Sequence, residues 1–259
     1  EAWYYHGLCL DQLGQRPKAA QSYERAIQLK PDLTEPRINL AAIYLEPPLQ
    51  TARAIELLQA ALKQQPKAAD IHENLGYAYG LNKDYARSAA HYKQALGLGP
   101  NPRISLAYGD ALYAQKKFAE AAKHYKVAFP AVKEQLDVVA QLAHRFGRGK
   151  AYADCVTAFD ILIAKKPSSK LHIHRGLCRH GLTDEAGARA DYEEASRIDP
   201  AFQPAYYYLG MSYLQADNRE KAAELFESCM KLGVNTPMGK KARKRYDGLV
   251  DAMRKRKRR

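Results

Sequence analysis

Helix-ending prolines recur at a nearly fixed interval, and that interval limits the fold more than any other property of the chain. Leu29-Lys30-Pro31, Gln64-Gln65-Pro66, Leu98-Gly99-Pro100, Lys165-Lys166-Pro167 and Ile198-Asp199-Pro200 follow one another at steps of 35, 34, 67 and 33 residues. The long step is two periods, one of which lacks its proline. Within each period a small residue comes early: Gly7, Ala41, Gly76, Gly109, Ala143, Gly176 and Gly210. A second small residue follows about twelve positions on, at Ala19, Ala54, Ser88, Ala121, Cys155, Ala188 and Ala222. Next stands a large residue, Tyr23, Leu58, Tyr92, Tyr125, Phe159, Tyr192 or Phe226. A third slot, mostly small, holds Ala26, Ala61, Ala95, Ala128, Leu162, Ala195 and Cys229. A period of this length marks one supersecondary unit stacked on its copies.

The slots have a physical logic. Small residues let two antiparallel helices approach closely, the large one fills the space left between them, and proline stops the second helix. In this set of residues the chain resembles the tetratricopeptide repeat family, over residues 1 to about 234 as seven consecutive repeats. The resemblance implies an all-α fold, a right-handed superhelical solenoid of antiparallel helix pairs whose first helices line a concave groove. Three segments are expected: helix pairs over 1–234, a capping helix over 235–253, and a basic tail over 254–259. Ala242, Tyr246, Leu249, Val250 and Met253 share one helical face, as a cap over the last repeat requires. An extra residue in Glu46-Pro47-Pro48-Leu49-Gln50 should widen one turn, and Phe129-Pro130-Ala131-Val132 makes the fourth boundary irregular. Glu1-Ala2-Trp3 reads as the inside of a helix, so the sequence reads as a piece of a longer chain.

The chain has 259 residues and a formal charge of +13. From Lys240 onward, 11 basic residues less Asp247 and Asp251 leave +9, and only +4 on everything before. The basicity therefore belongs to one end. With 46% hydrophobic and 27% charged residues the composition is that of a globular protein, and four cysteines are too few for a disulfide scaffold. No apolar run approaches the ~18 residues of a membrane-spanning helix.

Catalytic signatures are missing. Gly147-Arg148-Gly149-Lys150-Ala151 has the glycine and lysine of a phosphate loop, but the first glycine is too close and no Ser or Thr follows the lysine. It reads as an interhelical turn. His72-Glu73 has Gly76 where a zinc protease needs its second histidine. In Leu171-His172-Ile173-His174-Arg175-Gly176-Leu177-Cys178-Arg179-His180 only His174 and Cys178 have i, i+4 geometry, and two ligands do not make a structural zinc site. No metal site, cofactor or small-molecule substrate is expected, and the protein reads as a non-enzyme.

Arg175 and Arg179, with His172, stand where the preceding repeat has Leu142, Phe146 and Val139. Buried arginines need compensation. Two sources fit: an internal ion-pair network with Asp160, Asp184 or Asp191, or an anion site for a partner's carboxylate. The four cysteines occupy small-residue slots, and free thiols used as small hydrophobes point to a cytoplasmic location, with the bacterial periplasm as the alternative.

Recognition in the resembled family takes place on the groove. Mapped onto this chain, the groove positions include Tyr4, Leu8, Glu35, Ile38, Asp70, Glu73, Tyr77, Asp110 and Tyr113. They continue through His144, Lys170, Ile173, Leu177, Tyr207 and Met211. Several could instead pack against neighbouring repeats. Acids dominate the first four repeats, bases the last three, so a ligand with one basic end and an apolar centre would fit. Asn39 and Asn74 match one slot of the family's heat-shock carboxylate clamp, but Tyr4 and Leu8 replace its lysine and asparagine, which argues against that clamp. The expected function is a scaffold or adaptor that binds a protein segment in the groove and recruits it into an assembly. The alternative is association with nucleic acid or an anionic membrane through residues 240–259.

Overall fold

The computed structural model describes residues 1–257, with side chains through residue 255. Arg258 and Arg259, the end of the basic run, lie outside the described residues. Helices joined by short turns and irregular connections make up everything described, and no strand occurs there. The chain divides into two compact units, residues 1–131 and 132–259. The first holds α1 (Ala2–Gln12), α2 (Arg16–Leu29), α3 (Glu35–Tyr44), α4 (Thr51–Gln64), α5 (Ala69–Leu81), α6 (Tyr85–Leu98), α7 (Pro102–Ala114) and nearly all of α8 (Phe118–Val132). The second holds α9 (Leu136–Arg148), α10 (Tyr152–Lys165), α11 (Ser169–Gly181), α12 (Glu185–Ile198), α13 (Gln203–Gln215), α14 (Arg219–Lys231) and α15 (Pro237–Lys257). Within each unit a helix packs on its neighbours in the chain, so each is an α-solenoid of helix pairs.

Local chemistry starts and stops these helices. Asp84, Asp184 and Asn218 cap the second helices of their pairs by accepting from Arg87, Gly187 and Lys221 amides at 3.0, 2.9 and 3.1 Å. The turns inside the pairs share one design, a left-handed residue two positions beyond the first helix. It is Gly14 in the first repeat, then Lys83, Lys116, Lys150, Thr183 and Asp217, with φ between 57° and 70°. At one such turn the Lys83 amide donates to Gly80 and the Asp84 amide to Tyr79, both at 2.9 Å, closing the Schellman pattern at the end of α5. The Gly147–Ala151 segment is such a turn, with Lys150 at its left-handed position. The second repeat differs. A cis Pro47-Pro48 bond lies in the longer connection between Tyr44 and Thr51.

The slots read from the sequence meet in space. A Cβ placed on Gly7, Gly76, Gly109 or Gly176 would stand 2.5–2.8 Å from Tyr23, Tyr92, Tyr125 or Tyr192, and one on Gly210 would stand 2.9 Å from Phe226. The ring of the second helix thus lies against bare backbone of the first. Where that slot is Ala41, the facing residue shrinks to Leu58, and both are fully buried. Burying a side chain of this size contributes about 1.5–3 kcal/mol, so the seven repeated contacts supply much of the core.

α15 closes the second unit. Ala242 and Leu249 are buried against Phe226 and Cys229 of α14, with Tyr246 packed on the same cluster. The helix continues through Lys257, so the described part of the terminal basic run is helical. No helix among the described residues is long and apolar enough to cross a membrane.

The cysteines depart from expectation. Cys155 of α10 and Cys178 of α11 form a disulfide, so the four are not all free thiols. Their sequence slots are adjacent across the repeat boundary, which a reading of each repeat alone does not reveal. Cys9 is exposed rather than buried, while Cys229 is buried and its thiol is pushed up to about 11 by desolvation. Two free cysteines no longer carry a redox argument for a compartment.

Candidate functional site

The two arginines of α11 are held from within the fold. Arg175 Nε donates to both carboxylate oxygens of Asp191 at 3.1 Å, its Nη2 to Asp191 at 2.5 Å, and its Nη1 to Asp160 at 2.7 Å. Arg179 Nη1 lies 3.0 Å from the second Asp191 oxygen and donates to the Gly187 carbonyl at 3.2 Å. Asp191 is only 2% exposed. Of the two sources of compensation, the internal network is the one built here, and the guanidinium edges point to internal acceptors instead of forming an anion site. Asp191, on the facing helix, could be found from the sequence because it replaces Ala158 at the equivalent slot of the preceding repeat.

In the first unit the residues proposed for the groove differ in what surrounds them. Tyr4, Leu8 and Ile38 are half-buried against the first core, and Tyr4 lies beside Tyr23 with ring centroids 6.2 Å apart. Several acids of the first four repeats, in and beside that set, are partnered. Glu73 pairs with Arg103 at 2.7 Å, Asp110 accepts from the Tyr125 hydroxyl at 3.0 Å, and Glu1 pairs with Lys30. Asp11 and Glu46 both meet Arg16. Glu35 and Asp70 are exposed and make no ion pair among the described residues. The acidic character read from the sequence therefore narrows to those two. Tyr77 is 49% exposed and shares a cavity of about 320 Å³ with Tyr92 and Asp110. Tyr113 lies edge-on to Phe118, with centroids 4.9 Å apart.

In the second unit Ile173 is a core residue, 4% exposed, because its helical position turns it toward Ala188 and Tyr192. Leu177, Tyr207 and Met211 come together with Tyr192, Tyr208 and Leu214 around a cavity of about 530 Å³. Its rim carries Lys241 of α15, and His180 with Glu185, whose Nδ1 and carboxylate lie 2.8 Å apart. One helix over, His144 of α9 meets His174 of α11 edge to face at 4.7 Å, and His174 stacks on Phe159. Desolvation, then the charge of Lys170, holds the His144 imidazole below its ordinary range. Burial, then His144 and Lys170, pushes His174 down to about 4. His174 was absent from the expected groove set, although Lys170, His174 and Leu177 are spaced i, i+4, i+7 on one helical face.

Comparison with known proteins accords with this architecture. Two family models, each described as tetratricopeptide repeat, match residues 50–101 and 81–132, and residues 1–32 and 204–232, together more than half of the chain. Tetratricopeptide repeat protein 6 of Homo sapiens is 24% identical over 191 residues, covering 69% of this chain and 35% of the relative. The BBSome complex member BBS4 of Bos taurus is 24% identical over 235 residues, covering 90% of this chain and 45% of the relative. The chain thus spans less than half the length of these curated relatives. Among solved structures, Naa15/Naa10 bound to HypK-THB superposes with a TM-score of 0.69 at 14% identity, covering 96% of this chain and 38% of that one. A tetratricopeptide repeat protein from Parabacteroides merdae superposes with a TM-score of 0.55 at 18% identity, covering 95% and 97%.

Proposed function

We propose that this chain, which belongs to the tetratricopeptide repeat family, is a non-enzymatic protein-interaction scaffold. It holds a segment of a partner protein on the face formed by the first helices of its repeats and recruits that partner into a larger assembly. The observation that carries this reading is the cavity of the second unit. There Leu177, Tyr207 and Met211, all on first helices, surround about 530 Å³ without filling it. Partly exposed tyrosines favour protein recognition because they bury a large area at little entropic cost. A relative, BBS4, is named as a member of a complex, and membership of an assembly is what is proposed for this chain.

A pull-down with the wild-type chain and a Tyr77→Ala, Tyr207→Ala double variant tests the proposal. Partners lost on mutation are groove ligands; an unchanged set refutes the reading. The alternative, phosphate-rich partners at the basic end, is separated by deleting residues 254–259. The scaffold keeps its partners after that deletion, whereas the alternative loses them. A cytoplasmic location no longer follows from the thiols, since the Cys155–Cys178 pair fits the periplasm equally well.

A further inference from the structure

The second unit presents two adjoining features of different chemistry on its first helices. The first is a cluster of nitrogen groups. His144 and His174 lie ring to ring, and the field of Lys170 reaches both. Lys170 is exposed and makes no ion pair among the described residues. The second is the apolar cavity between α11 and α13, with the Lys241 side chain on its rim. Its carboxylate, Glu185, is already engaged by His180 at 2.8 Å and by the Gln215 amide at 3.1 Å. Neither Lys170 nor Lys241 makes an ion pair among the described residues, and the acid lining the cavity, Glu185, is occupied.

We infer that this face of the second unit binds an extended protein segment bearing a side-chain carboxylate and, about three residues away, a bulky apolar side chain. The carboxylate is received by the Lys170 ammonium and the ring N–H groups of His144 and His174. The apolar side chain enters the cavity against Leu177, Tyr207 and Met211. The spacing follows from the fold. The rings lie between α9 and α11, the cavity between α11 and α13, so the two sites are one interhelical distance, about 10 Å, apart. An extended chain rises about 3.3 Å per residue and covers that distance in about three. A charge-assisted contact of this kind favours an acid over its amide because a hydrogen bond between ionised partners is stronger than one to a neutral amide oxygen. The inference rests on the groove reading proposed above and narrows it to a ligand chemistry.

The test uses the full chain and fluorescein-labelled ten-residue peptides, capped at both ends, on a Ser/Gly background, with binding read by fluorescence anisotropy. The sequences carry Glu-x-x-Phe, Phe-x-x-Glu, Gln-x-x-Phe, Glu-x-x-Ala, and Glu and Phe seven residues apart. One of the first two should bind at least tenfold more tightly than its Gln, Ala and wide-spaced counterparts. In Lys170→Gln the preference for Glu over Gln should fall to about twofold, while the preference for Phe over Ala persists. A free C-terminal carboxylate added to the Gln peptide separates a terminal carboxylate from a side-chain one. Tight binding restored in that peptide alone overturns the side-chain assignment. Equal affinity for Glu and Gln peptides, or no binding by any of them, overturns the inference. If partners are still lost from the Tyr77→Ala, Tyr207→Ala variant, the groove reading survives that failure; if they are not, both fall.

Discussion

Replacing Asp191 by alanine removes the central carboxylate of the α11–α12 network and leaves two guanidinium groups facing each other. Asp191 receives two contacts from Arg175 Nε at 3.1 Å, one from its Nη2 at 2.5 Å, and a fourth from Arg179 at 3.0 Å. Hydrogen bonds to charged groups contribute roughly 1.5–3 kcal/mol each, but contacts sharing one carboxylate are not additive. Asp160 still holds Arg175 at 2.7 Å, and the Gly187 carbonyl still accepts from Arg179. The expected loss is therefore about 3–5 kcal/mol, the range for breaking a buried pair by removing one partner. For a chain of this size that lowers the melting midpoint by on the order of 10 °C. The preceding repeat shows how to remove the network without that loss, since it has Leu142, Phe146 and Ala158 at the equivalent positions. An Arg175→Leu, Arg179→Phe, Asp191→Ala triple variant should return to within about 1 kcal/mol of the parent, because no charge is left uncompensated. Urea titrations followed by circular dichroism compare the three proteins. A triple variant as unstable as the single one refutes the reasoning.

Other substitutions probe the repeated packing and the turns. Gly109→Ala puts a methyl group 2.5 Å from the Tyr125 ring and should cost about 1–3 kcal/mol in the same titration. Thr183 is a β-branched residue at φ 62°, so Thr183→Gly should raise stability by about 1 kcal/mol, seen as a higher urea midpoint. His174 is held near 4 in the folded chain, below its ordinary 6.5, so its neutral form is favoured by folding. Stability is then full above pH 6.5 and is lost as pH falls toward 4. In His174→Leu that part of the acid sensitivity should disappear from melting curves recorded across this range.

Much of the fold is legible in the sequence because the repeat states it seven times. Gly109 facing Tyr125 and Ala41 facing Leu58 are pairs whose sizes complement each other, and each can be located from the period alone. The turns are less legible. Lys83, Lys116, Lys150, Thr183 and Asp217 recur in register, yet none is the glycine that usually signals a left-handed backbone. The candidate site is legible only in part, because periodicity assigns a residue to a helix face and not to a partner. Ile173 falls one position from the open face and enters the core, whereas His174 falls beside the groove residues. Glu73 and Arg103 look like opposing charges on a free surface until adjacent helices bring them to 2.7 Å. Cys155 and Cys178 occupy two different repeats, so their union depends on stacking that neither repeat encodes alone.

The arginine–aspartate set also bears on how a chain of similar units finds its own order. Seven helix pairs built on the same slots can dock on the wrong neighbour during folding, since one apolar face resembles another. The sixth repeat is less interchangeable than the rest. Stacked beside the second, third or fourth repeat, Arg175 would meet Gln59, Lys93 or Lys126 at the slot of Asp160, whereas the first and seventh repeats carry Glu24 and Glu227 there. Those three neighbours forfeit the Asp160 pair while the Asp191 contacts, internal to the sixth repeat, persist, so the sixth repeat carries a partial mark of its place in the series. Chains in which the triple variant erases that mark should refold with a larger misassembled fraction, even at unchanged stability.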